Sequence, residues 1–477
     1  MHPQNATGGT TVSEPREQTL LILGATGDLS QRLLLPGLGA LLATGRVVGL
    51  SLLGAAAPEW DDERWRQRVT ESFRSAGATG EEVDAVAQNA RYRQVDATSP
   101  SDLRELLEAS KGGLVVYFAL PPAITVQACE ALTEIGGVPE GTRLVMEKPF
   151  GTDAASAEAL NGLLASLVPE QQVHRVDHFL GLSTVLNIVG LRFANRMVEP
   201  VLNAGHVESV DIIWDEDLAL EGRAGYFDAT GALTDMFQSH LLQVLSLVAM
   251  EPPSSIDARD FRDAKAQVLR ATRVWDDDPV TSSRRARYTA GRIDGRQVPA
   301  YLDEEGIPPD STTETLAEVR FAVDTWRWAG VPFRLRSGKA LGEPRKEIVV
   351  TFKPPPRLPA GLTGNDRPDR LRIGIGFGAD RLHLDLTLNG PGNPKVLDPV
   401  TLEARFGAGD LPEYGQVLEG ILDGDPTLSV RGDTAVECWR IIEPVLDAWR
   451  AGTPPLQEYP AGSHGPADWP LPGQLES

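Results

Sequence analysis

Cysteine is scarce in this sequence. Cys129 and Cys438 are the only two cysteines among 477 residues. Two such distant thiols provide neither a disulfide framework nor the ligand spacing of a metal site, and this usage is typical of proteins from reducing compartments. We therefore expect two buried structural thiols and no bound metal.

Long apolar runs are also missing. No stretch reaches the roughly 18 apolar residues that a membrane-spanning helix needs. The polar start MHPQNATGGTTVSEPREQ lacks the apolar centre of a signal peptide. These absences predict a soluble, cytoplasmic protein.

Positive charge is in short supply, with 45 Lys and Arg residues against 67 Asp and Glu residues and a formal net charge of −22. A field of this sign repels nucleic-acid phosphates and anionic lipids, which argues against binding to either. An anionic ligand would require local cations to overcome it.

The first third of the chain alternates short β-rich runs with helical segments. The β-rich runs are TLLILGA, VVGLSLLGA, RYRQVDA, GLVVYFAL, RLVMEKP and VHRVD. Such alternation predicts buried parallel strands joined by crossover helices. We expect a Rossmann-like, doubly wound α/β domain that binds a dinucleotide over residues 18–177, preceded by a disordered tail at residues 1–17.

After His178 the pattern changes to helical segments near 183–203 and 233–250, followed by long alternating runs. The runs are ESVDIIWDE, AQVLRATRVW, LAEVRFAVDTWRW, PFRLRSG, EIVVTFK, LRIGIGF and RLHLDLTL. They predict a substrate-binding α+β domain, residues 178–452, with a large, mostly antiparallel sheet and helices on one face. Because the other face would be open, we expect a homodimer or homotetramer. Residues 453–477, rich in Pro and Gly, are predicted to form an extended arm.

The segment LLILGATGDLSQRLLLPGL places Gly24, Gly27 and Asp28 directly after the first strand. A glycine turn that opens a helix lets backbone N–H groups and the helix dipole meet a pyrophosphate, although such turns are also common without ligands. The second strand ends in Ala55, Ala56 and Ala57, which offer neither an acid for the ribose of NAD nor an arginine for the 2′-phosphate of NADP. Arg32 could partly compensate.

The segment MEKPFG carries Lys148 at the carboxyl end of a predicted parallel strand, where ligands bind in open α/β sheets. Pro149 fixes the backbone there and is a candidate for a cis bond. A solvated surface lysine before a turn explains the same residues equally well.

A third cluster covers residues 225–253, in which Asp235 and His240 lie five residues apart on a predicted helix. On an α-helix this spacing separates them by about 140°, so they would flank one face rather than share it. The apolar positions that follow predict a buried helix. A buried histidine is more often a satisfied core residue than a catalytic one.

Taken in order, these motifs resemble the glucose-6-phosphate dehydrogenase family. The resemblance runs from about Leu20 to Pro466, including a terminal GSHGP. It is carried by GATGDLSQRLLLPGL, ALPP, EKPFG, RVDHFLG, LRFAN, EGRAGYFDATGALTDMFQSHLLQVLSLVAMEPP and WRWAGVPFRLRSGKAL.

The resemblance implies a catalytic pair. His240 would take the proton of the anomeric hydroxyl while hydride leaves C1 for the nicotinamide, and Asp177 would orient and stabilise the imidazolium. Histidine suits this role because its pKa lies near working pH.

The resemblance also implies binding residues. Lys148 would contact a sugar hydroxyl and the cofactor, Glu221 and Asp235 would contact sugar hydroxyls, and His178 and Lys339 would contact the substrate, His178 at its phosphate. Arg345 falls one residue out of register with a family arginine. The expected cofactor-binding set is Gly24, Thr26, Gly27, Asp28, Leu29, Arg32, Pro121, Pro122 and Lys148, with Pro149 as the family's cis-proline.

Four positions depart from the family pattern. The family reads D-H-Y-L-G-K-E where this chain has Phe179 and Leu182, so the phenol and the lysine that grip the 6-phosphate are both missing. Losing the lysine alone should weaken phosphate binding by about 10- to 150-fold. Ala57 replaces the arginine that meets the 2′-phosphate of NADP, and Ser239 replaces an asparagine.

Three hypotheses follow. The first is a sugar 1-dehydrogenase that retains glucose 6-phosphate as substrate, with its phosphate held by Lys339, His178 and, as a weaker candidate, Arg345. The second is the same chemistry with NAD on a sugar that lacks the 6-phosphate or carries another group at C6. The third is a catalytically silent regulatory paralogue, which the intact Asp177, His240 and Lys148 argue against.

Overall fold

The computed structural model describes residues 17–222, 224–364, 367–376, 381–407 and 409–470. The predicted tail therefore lies outside the described residues except for Glu17. Residues 471–477 of the predicted arm also lie outside them. The described residues divide into two compact units. The first comprises the residues up to Phe150, Ala159–Val176 and Leu411–Ser429, and the second comprises Gly151–Glu158, Asp177–Asp410 and the residues from Val430 onward.

The first unit is built on a six-stranded sheet in the order β3-β2-β1-β4-β5-β6, with every pairing parallel. This is the strand order of a dinucleotide-binding Rossmann fold, and each predicted run contains one of its strands. The strands are β1 (Gln18–Leu23), β2 (Leu50–Ala56), β3 (Arg91–Gln94), β4 (Gly113–Phe118), β5 (Arg143–Glu147) and β6 (Val173–Val176).

Helices alternate with these strands. They are α1 (Leu35–Ala43), α2 (Asp62–Ser75), α3 (Glu81–Asn89), α4 (Pro100–Ala109), α5 (Pro122–Glu134) and α6 (Ala154–Leu167). Local chemistry sets their starts: the side chains of Asp61 and Ser99 accept hydrogen bonds from the first turns of α2 and α4. Apolar residues of β1 and β4, among them Ile22 and Val115, form a core with Leu38 of α1 and Trp65 of α2.

The second unit contains a ten-stranded sheet in the order β17-β16-β15-β14-β7-β13-β12-β9-β18, with β8 also paired to β12. Its pairings are antiparallel except β7 with β13 and β9 with β18, so the predicted mostly antiparallel sheet is confirmed. The strands of this sheet are β7 (Val207–Asp215), β8 (Thr272–Val274), β9 (Ser283–Thr289), β12 (Leu316–Val323), β13 (Phe333–Gly338), β14 (Arg345–Phe352), β15 (Arg370–Gly374), β16 (Arg381–Asn389), β17 (Leu397–Arg405) and β18 (Gln457–Pro460). Two further strands, β10 (Gly291–Ile293) and β11 (Arg296–Val298), pair with each other in a separate two-stranded sheet.

The remaining helices are α7 (Ser183–Phe193), α8 (Ala224–Ala232), α9 (Leu242–Ala249), α10 (Ala258–Ala271), α11 (Glu413–Asp423) and α12 (Gly432–Arg450). A π-helical segment, Leu233–Leu241, joins α8 to α9. The apolar residues that follow His240 are buried, as predicted.

The run AQVLRATRVW is not a strand for most of its length, so that prediction is wrong. Residues up to Ala271 continue α10, and only Thr272–Val274 pairs in the sheet. The Asp257 side chain accepts hydrogen bonds from the first turn of α10, and Phe261 and Leu269 are buried. Apolar residues at helical spacing and a capping aspartate outweigh the local alternation.

Residues Leu411–Ser429 were predicted in the second domain, but the structure groups them with the first unit. Helix α11 packs on α1 so closely that a Cβ on Gly37 would lie 2.7 Å from the Tyr414 Cβ. The Arg143 guanidinium on β5 donates to the carbonyl of Ile421 at 2.5 Å. A long-range packing of this kind leaves no local sequence signal.

Both cysteines behave as the composition predicts. Cys129 and Cys438 are buried free thiols, and burial raises the pKa of each to about 12. Within the part of the chain that the structure describes, no helix combines the length and the apolar character needed to cross a bilayer.

Candidate active site

The second unit contains a buried acid–base pair, Asp177 and His240. Asp177 directly follows β6 in the sequence, and His240 lies in the π-helical segment Leu233–Leu241. His240 Nδ1 lies 2.5 Å from Asp177 Oδ1, and both residues are at most 1% exposed. With a proton on Nδ1, the imidazole has its lone pair on Nε2, the form of a general base.

Asp177 is held at both carboxylate oxygens. The Phe179 amide donates to Oδ1 at 3.0 Å, and the Ser239 hydroxyl donates to Oδ2. Burial alone would raise the pKa of Asp177, but the charge and hydrogen bond of His240, with a smaller contribution from Ser239, hold that pKa well below its usual value. The serine that departs from the family pattern therefore helps to keep this carboxylate ionised.

A buried lysine, Lys265 of α10, accompanies the pair. Its side chain is 2% exposed and interacts electrostatically with Asp177 and with Cys438 of α12. Burial lowers the pKa of Lys265 to about 8, Asp177 opposes that shift, and the neighbouring Arg262 adds to it. Gln243 also belongs to this buried polar group, since its Nε2 lies 3.7 Å from the Cys438 sulfur.

The helix that carries His240 is not the ordinary α-helix assumed from the sequence. Because a π-helix has more residues per turn than an α-helix, Asp235 and His240 lie closer to one face than the predicted 140°. Asp235 is half-buried, and its carboxylate accepts a hydrogen bond from the Tyr226 hydroxyl at 3.2 Å.

A buried glutamate holds the start of this π-helical segment. Glu314 Oε1 accepts a hydrogen bond from the Leu233 amide at 2.9 Å. Gly231, with φ of +67°, leaves room for it, since a Cβ there would lie 2.4 Å from Glu314 Oε1. Burial raises the pKa of Glu314 to about 7, although the Leu233 hydrogen bond opposes the shift.

Aromatic rings surround His240. The Phe179 ring stacks on the imidazole with centroids 4.1 Å apart, and the His178 ring meets it edge-on at 4.7 Å. Trp214 of β7 packs against Phe179 at 4.3 Å. Leu182, at the start of α7, is 3% exposed. Both apolar replacements in the family motif are therefore buried: Phe179 lies against His240, and the Leu182 amide donates to the Phe179 carbonyl at 3.1 Å.

Two neighbouring residues of β14 lie on opposite faces of the sheet. Lys346 pairs with Trp214, and its Nζ lies 4.5 Å from the centre of the indole ring. Arg345 pairs with Asp215 and donates to Glu347 on the other face. Successive residues of a strand point to opposite faces of the sheet, so Arg345 points away from the face that carries Trp214. Its position therefore does not support a contact between Arg345 and the substrate.

Lys339, which directly follows β13, lies beside the same tryptophan. Its Nζ is 2.6 Å from Glu216 Oε2, and the Trp214 indole N–H is 3.4 Å from Glu216 Oε1. Glu221 lies in an exposed turn with φ of +47° and is 3.9 Å from Arg296. Lys339 is therefore close to the aromatic cluster, while Glu221 is engaged at the surface.

In the first unit, the predicted cofactor residues cluster at the carboxyl ends of β1 and β4, where the strand order reverses. A Cβ on Gly24, whose φ is +87°, would lie 2.1 Å from the carbonyl oxygen of Ala119. Gly27 is exposed, and a Cβ there would meet only the Gly24 oxygen, at 3.2 Å. Pro121 precedes α5 and Pro122 begins it. This open backbone at a topological switch point fits a dinucleotide.

The rest of the glycine turn is polar and exposed. Asp28 and Arg32 form an exposed ion pair at 3.5 Å, with Thr26 and Leu29 partly buried beside them. A second π-helical segment, Ser30–Leu34, continues into α1.

Ala57, just after β2, is exposed. Two arginines of α2 lie close to this strand end: Arg64 and Arg68 stand over the Trp60 ring at 4.4 and 5.1 Å. Arg68 also donates to the Gln31 side chain at 2.7 Å. The sequence analysis did not identify these cations.

Lys148 follows β5 and is half-buried. The Lys148–Pro149 bond is cis, as expected from the motif. The preceding Glu147 accepts hydrogen bonds from the hydroxyls of Tyr117 and Tyr414, the second at 3.2 Å.

Sequence reasoning missed three residues of the second unit, Lys265, Lys346 and Trp214. Lys265 lies in the apolar stripe of α10, four residues after buried Phe261. Lys346 lies on the same face of β14 as the buried residues Ile348 and Val350. A charged residue at an inward-facing position is the signal that could have identified both lysines.

Comparisons with known proteins cover nearly the whole chain. The model described as "Glucose-6-phosphate dehydrogenase, NAD binding domain" matches residues 21–187, and "Glucose-6-phosphate dehydrogenase, C-terminal domain" matches residues 189–470. Glucose-6-phosphate 1-dehydrogenase of Gluconobacter oxydans is 40% identical over 463 residues, 94% of each chain.

Two solved structures are similar over their full length. Glucose-6-phosphate 1-dehydrogenase from Mycobacterium avium aligns with a TM-score of 0.81 at 32% identity, covering 95% of this chain and 96% of that one. A glucose-6-phosphate dehydrogenase in complex with glucose-6-phosphate aligns with a TM-score of 0.84 at 29% identity and the same coverage.

Proposed function

Because the chain belongs to the glucose-6-phosphate dehydrogenase family of nicotinamide-dependent oxidoreductases acting on a CH–OH group, we propose that it oxidises the anomeric carbon of a hexose phosphate to the lactone. Glucose 6-phosphate, named in its relatives, is the first candidate. The observation that carries the proposal is the buried contact of His240 with Asp177 at 2.5 Å.

The proposed reaction separates a proton from a hydride. When bound, the nicotinamide accepts the hydride that leaves C1. His240 takes the proton of the anomeric hydroxyl on Nε2, and the C1–O bond becomes the carbonyl of the lactone. Asp177, ionised and bonded to Nδ1–H, stabilises the imidazolium that results. Burial of both residues strengthens their interaction, since little water screens it.

The remaining site residues are proposed as binding groups. Lys148, Glu221 and Asp235 would contact sugar hydroxyls, and His178 and Lys339 would contact the C6 end of the substrate. The structural support for these roles differs between residues. The His178 ring contacts the His240 ring, whereas Glu221 lies 3.9 Å from Arg296 and would have to leave that residue to contact a substrate.

The cofactor is a nicotinamide dinucleotide, and NAD is the form we propose. Ala57 supports NAD because it removes the arginine expected for a 2′-phosphate. The residues that would hold the cofactor are Gly24, Thr26, Gly27, Asp28, Leu29, Arg32, Pro121, Pro122 and Lys148. Fluorescence titration with NAD and NADP tests this choice, and tighter binding of NADP would instead implicate Arg64 and Arg68.

A second candidate is the same oxidation on a sugar without the 6-phosphate, or with another group at C6. Phe179 and Leu182 favour it, because buried apolar side chains stand where the family has a phenol and a lysine. The two candidates differ only in the group at C6 of the sugar.

The proposed function is tested by a substrate panel with both cofactors, read as kcat/KM. Glucose 6-phosphate, glucose and 6-substituted glucoses should separate the two candidates. His240→Asn should lower kcat by about 100-fold or more with little change in KM, as expected on removal of a general base. A wild-type protein that oxidises none of these sugars would refute the proposal.

A homodimer is the proposed assembly. Strands β16 and β17 carry apolar residues on one face, of which Leu388 and Leu402 are 54% and 55% exposed. Exposed apolar patches of this kind mark interaction surfaces. Light scattering should give a mass of at least twice 51.4 kDa.

A cytoplasmic location remains our proposal. It is supported by the two free, buried cysteines, which are typical of proteins from reducing compartments. Fractionation of cells that produce the protein would test it.

A further inference from the structure

The site has lost one cation of its family motif and has another that the motif does not predict. At position 182 the chain has leucine, which is 3% exposed. Lys346, on β14, lies over the Trp214 ring with its Nζ 4.5 Å from the ring centre. The position of Lys346 relative to His240 determines whether both residues can contact one substrate molecule.

Lys346 is connected to His240 through two aromatic rings. Trp214 packs against Phe179 at 4.3 Å, and Phe179 stacks on His240 at 4.1 Å. Three successive contacts, each below 5 Å, therefore separate the lysine from the base. In a pyranose C6 is attached to C5, which shares the ring oxygen with C1, so an anionic group on C6 extends several bonds beyond the anomeric carbon. A sugar with C1 at His240 would therefore place this group at a neighbouring part of the aromatic cluster and not at the base itself.

Charged groups of both signs surround Lys346 beside this aromatic cluster. Lys339, Glu216 and Asp217 all interact electrostatically with it. Glu216 is engaged by Lys339 at 2.6 Å and by the Trp214 N–H at 3.4 Å. Two lysines, two acids and an aromatic surface therefore converge here, and one of the acids, Glu216, is already bonded to Lys339.

We propose that Lys346 binds an anionic group at C6 of the sugar, in place of the lysine missing at position 182. The inference rests on the proposed sugar 1-dehydrogenase function and adds a binding residue to it, with the 6-phosphate as the anion to test. Lys346 is then a specificity-determining residue that acts together with Lys339.

The strand itself provides a matched control. Arg345 precedes Lys346 and carries the same charge, but it lies on the opposite face and donates to Glu347. If Lys346 acted only through the overall field of the molecule, removing either charge would have a similar effect. If it binds the substrate, only Lys346 should matter.

The test compares the purified full-length wild type with Lys346→Met, Lys346→Gln, Lys346→Arg and Arg345→Met. Glucose 6-phosphate and glucose are assayed with both cofactors, and thermal melting checks that each variant is folded. Lys346→Met and Lys346→Gln should raise KM for glucose 6-phosphate about 10- to 100-fold, with kcat within about twofold and glucose kinetics unchanged. Lys346→Arg should retain most affinity, and Arg345→Met should resemble wild type.

Equilibrium binding provides a second readout, since nine tryptophans report binding of glucose 6-phosphate without cofactor. Weaker binding in Lys346→Met but not in Arg345→Met supports the inference, even if no sugar is oxidised and the proposed function fails. Equal effects of the two variants overturn it while leaving the function intact. A wild type that oxidises glucose at least as efficiently as glucose 6-phosphate also overturns it.

Discussion

Phe179 and Leu182 depart from the family motif at the proposed substrate end of the site, while the acid–base pair is retained. The Phe179 ring contributes stacking on His240 where a tyrosine would also offer a hydroxyl, and Leu182 buries an apolar side chain where a lysine would offer a charge. We propose that recognition of an anion at C6 rests on His178, Lys339 and Lys346.

Restoring the lysine at position 182 tests this interpretation directly. Leu182→Lys should lower KM for glucose 6-phosphate roughly tenfold with little change in kcat, because a second charge-assisted bond would form to the bound anion. The long aliphatic stem of lysine can pass through an apolar site while its amine reaches the ligand. Steady-state kinetics of Leu182→Lys and its neutral control Leu182→Met provide the measurement; equal KM values for the two would contradict the prediction.

Lys265 should affect the pH dependence of catalysis. Its positive charge opposes protonation of the neighbouring Asp177–His240 pair, so Lys265→Met should move the acidic limb of the kcat/KM profile to higher pH by up to about one unit. Lys265→Arg, which keeps the charge, should leave the limb near its wild-type position. A uniform loss of activity at every pH, with no movement of the limb, would indicate a purely structural role.

At the scale of elements, the π-helical segment Leu233–Leu241 depends on one buried carboxyl. Glu314 binds the Leu233 amide at the start of the segment that carries His240. Its pKa, raised from 4.5 to about 7 chiefly by burial, means that the folded protein holds a proton between these values while the unfolded chain has released it. Stability therefore falls as pH rises through this window, by about 3 kcal/mol at most.

Glu314→Gln should remove this dependence. The amide oxygen can still accept the Leu233 hydrogen bond and carries no charge, so the variant should be close to wild type at pH 5 and more stable than wild type at pH 8. Urea unfolding at the two pH values measures the difference. Glu305→Gln, at an exposed position nearby, is the control; if its difference from wild type changes with pH as much as that of Glu314→Gln, the buried carboxyl is not the cause.

At the scale of the whole molecule, the large sheet has partly exposed outer strands. Most residues of strands β7, β12 and β13 are buried, whereas apolar side chains of β16 and β17, such as that of Leu402, are about half exposed. In a chain with a net charge of −22, which opposes nonspecific association, an apolar patch of this kind supports the proposed homodimer contact.

Leu402→Glu should weaken self-association, because a charge in an apolar contact must be desolvated. Sedimentation of wild type and variant over a range of concentrations would measure the shift from dimer toward monomer. Glu403→Gln, on the neighbouring residue of β17 that points to the other face, is the control. An unchanged dimer in Leu402→Glu would place the contact elsewhere.

The predictability of the fold differed among elements. The six N-terminal strands were predicted because buried parallel strands form continuous apolar runs, as in β1 and β4. The run AQVLRATRVW was wrongly predicted as a strand because the spacing of its apolar residues fits both a strand and the amphipathic helix α10. Strands β9 and β17 were missed because their sequences mix charged and apolar residues without a clear alternation.

The sequence by itself determined the local features of this protein: the glycine turn after β1, the Lys148–Pro149 motif, the burial of Cys129 and Cys438, and the residue types of the acid–base pair. These depend on neighbours within a few residues, which pattern and propensity capture. Only the tertiary structure decided that Ser239 bonds Asp177, that Lys265 lies beside that carboxylate, and that Lys346 rather than Arg345 faces Trp214. Such contacts join distant segments, and strand register and helix packing fix them.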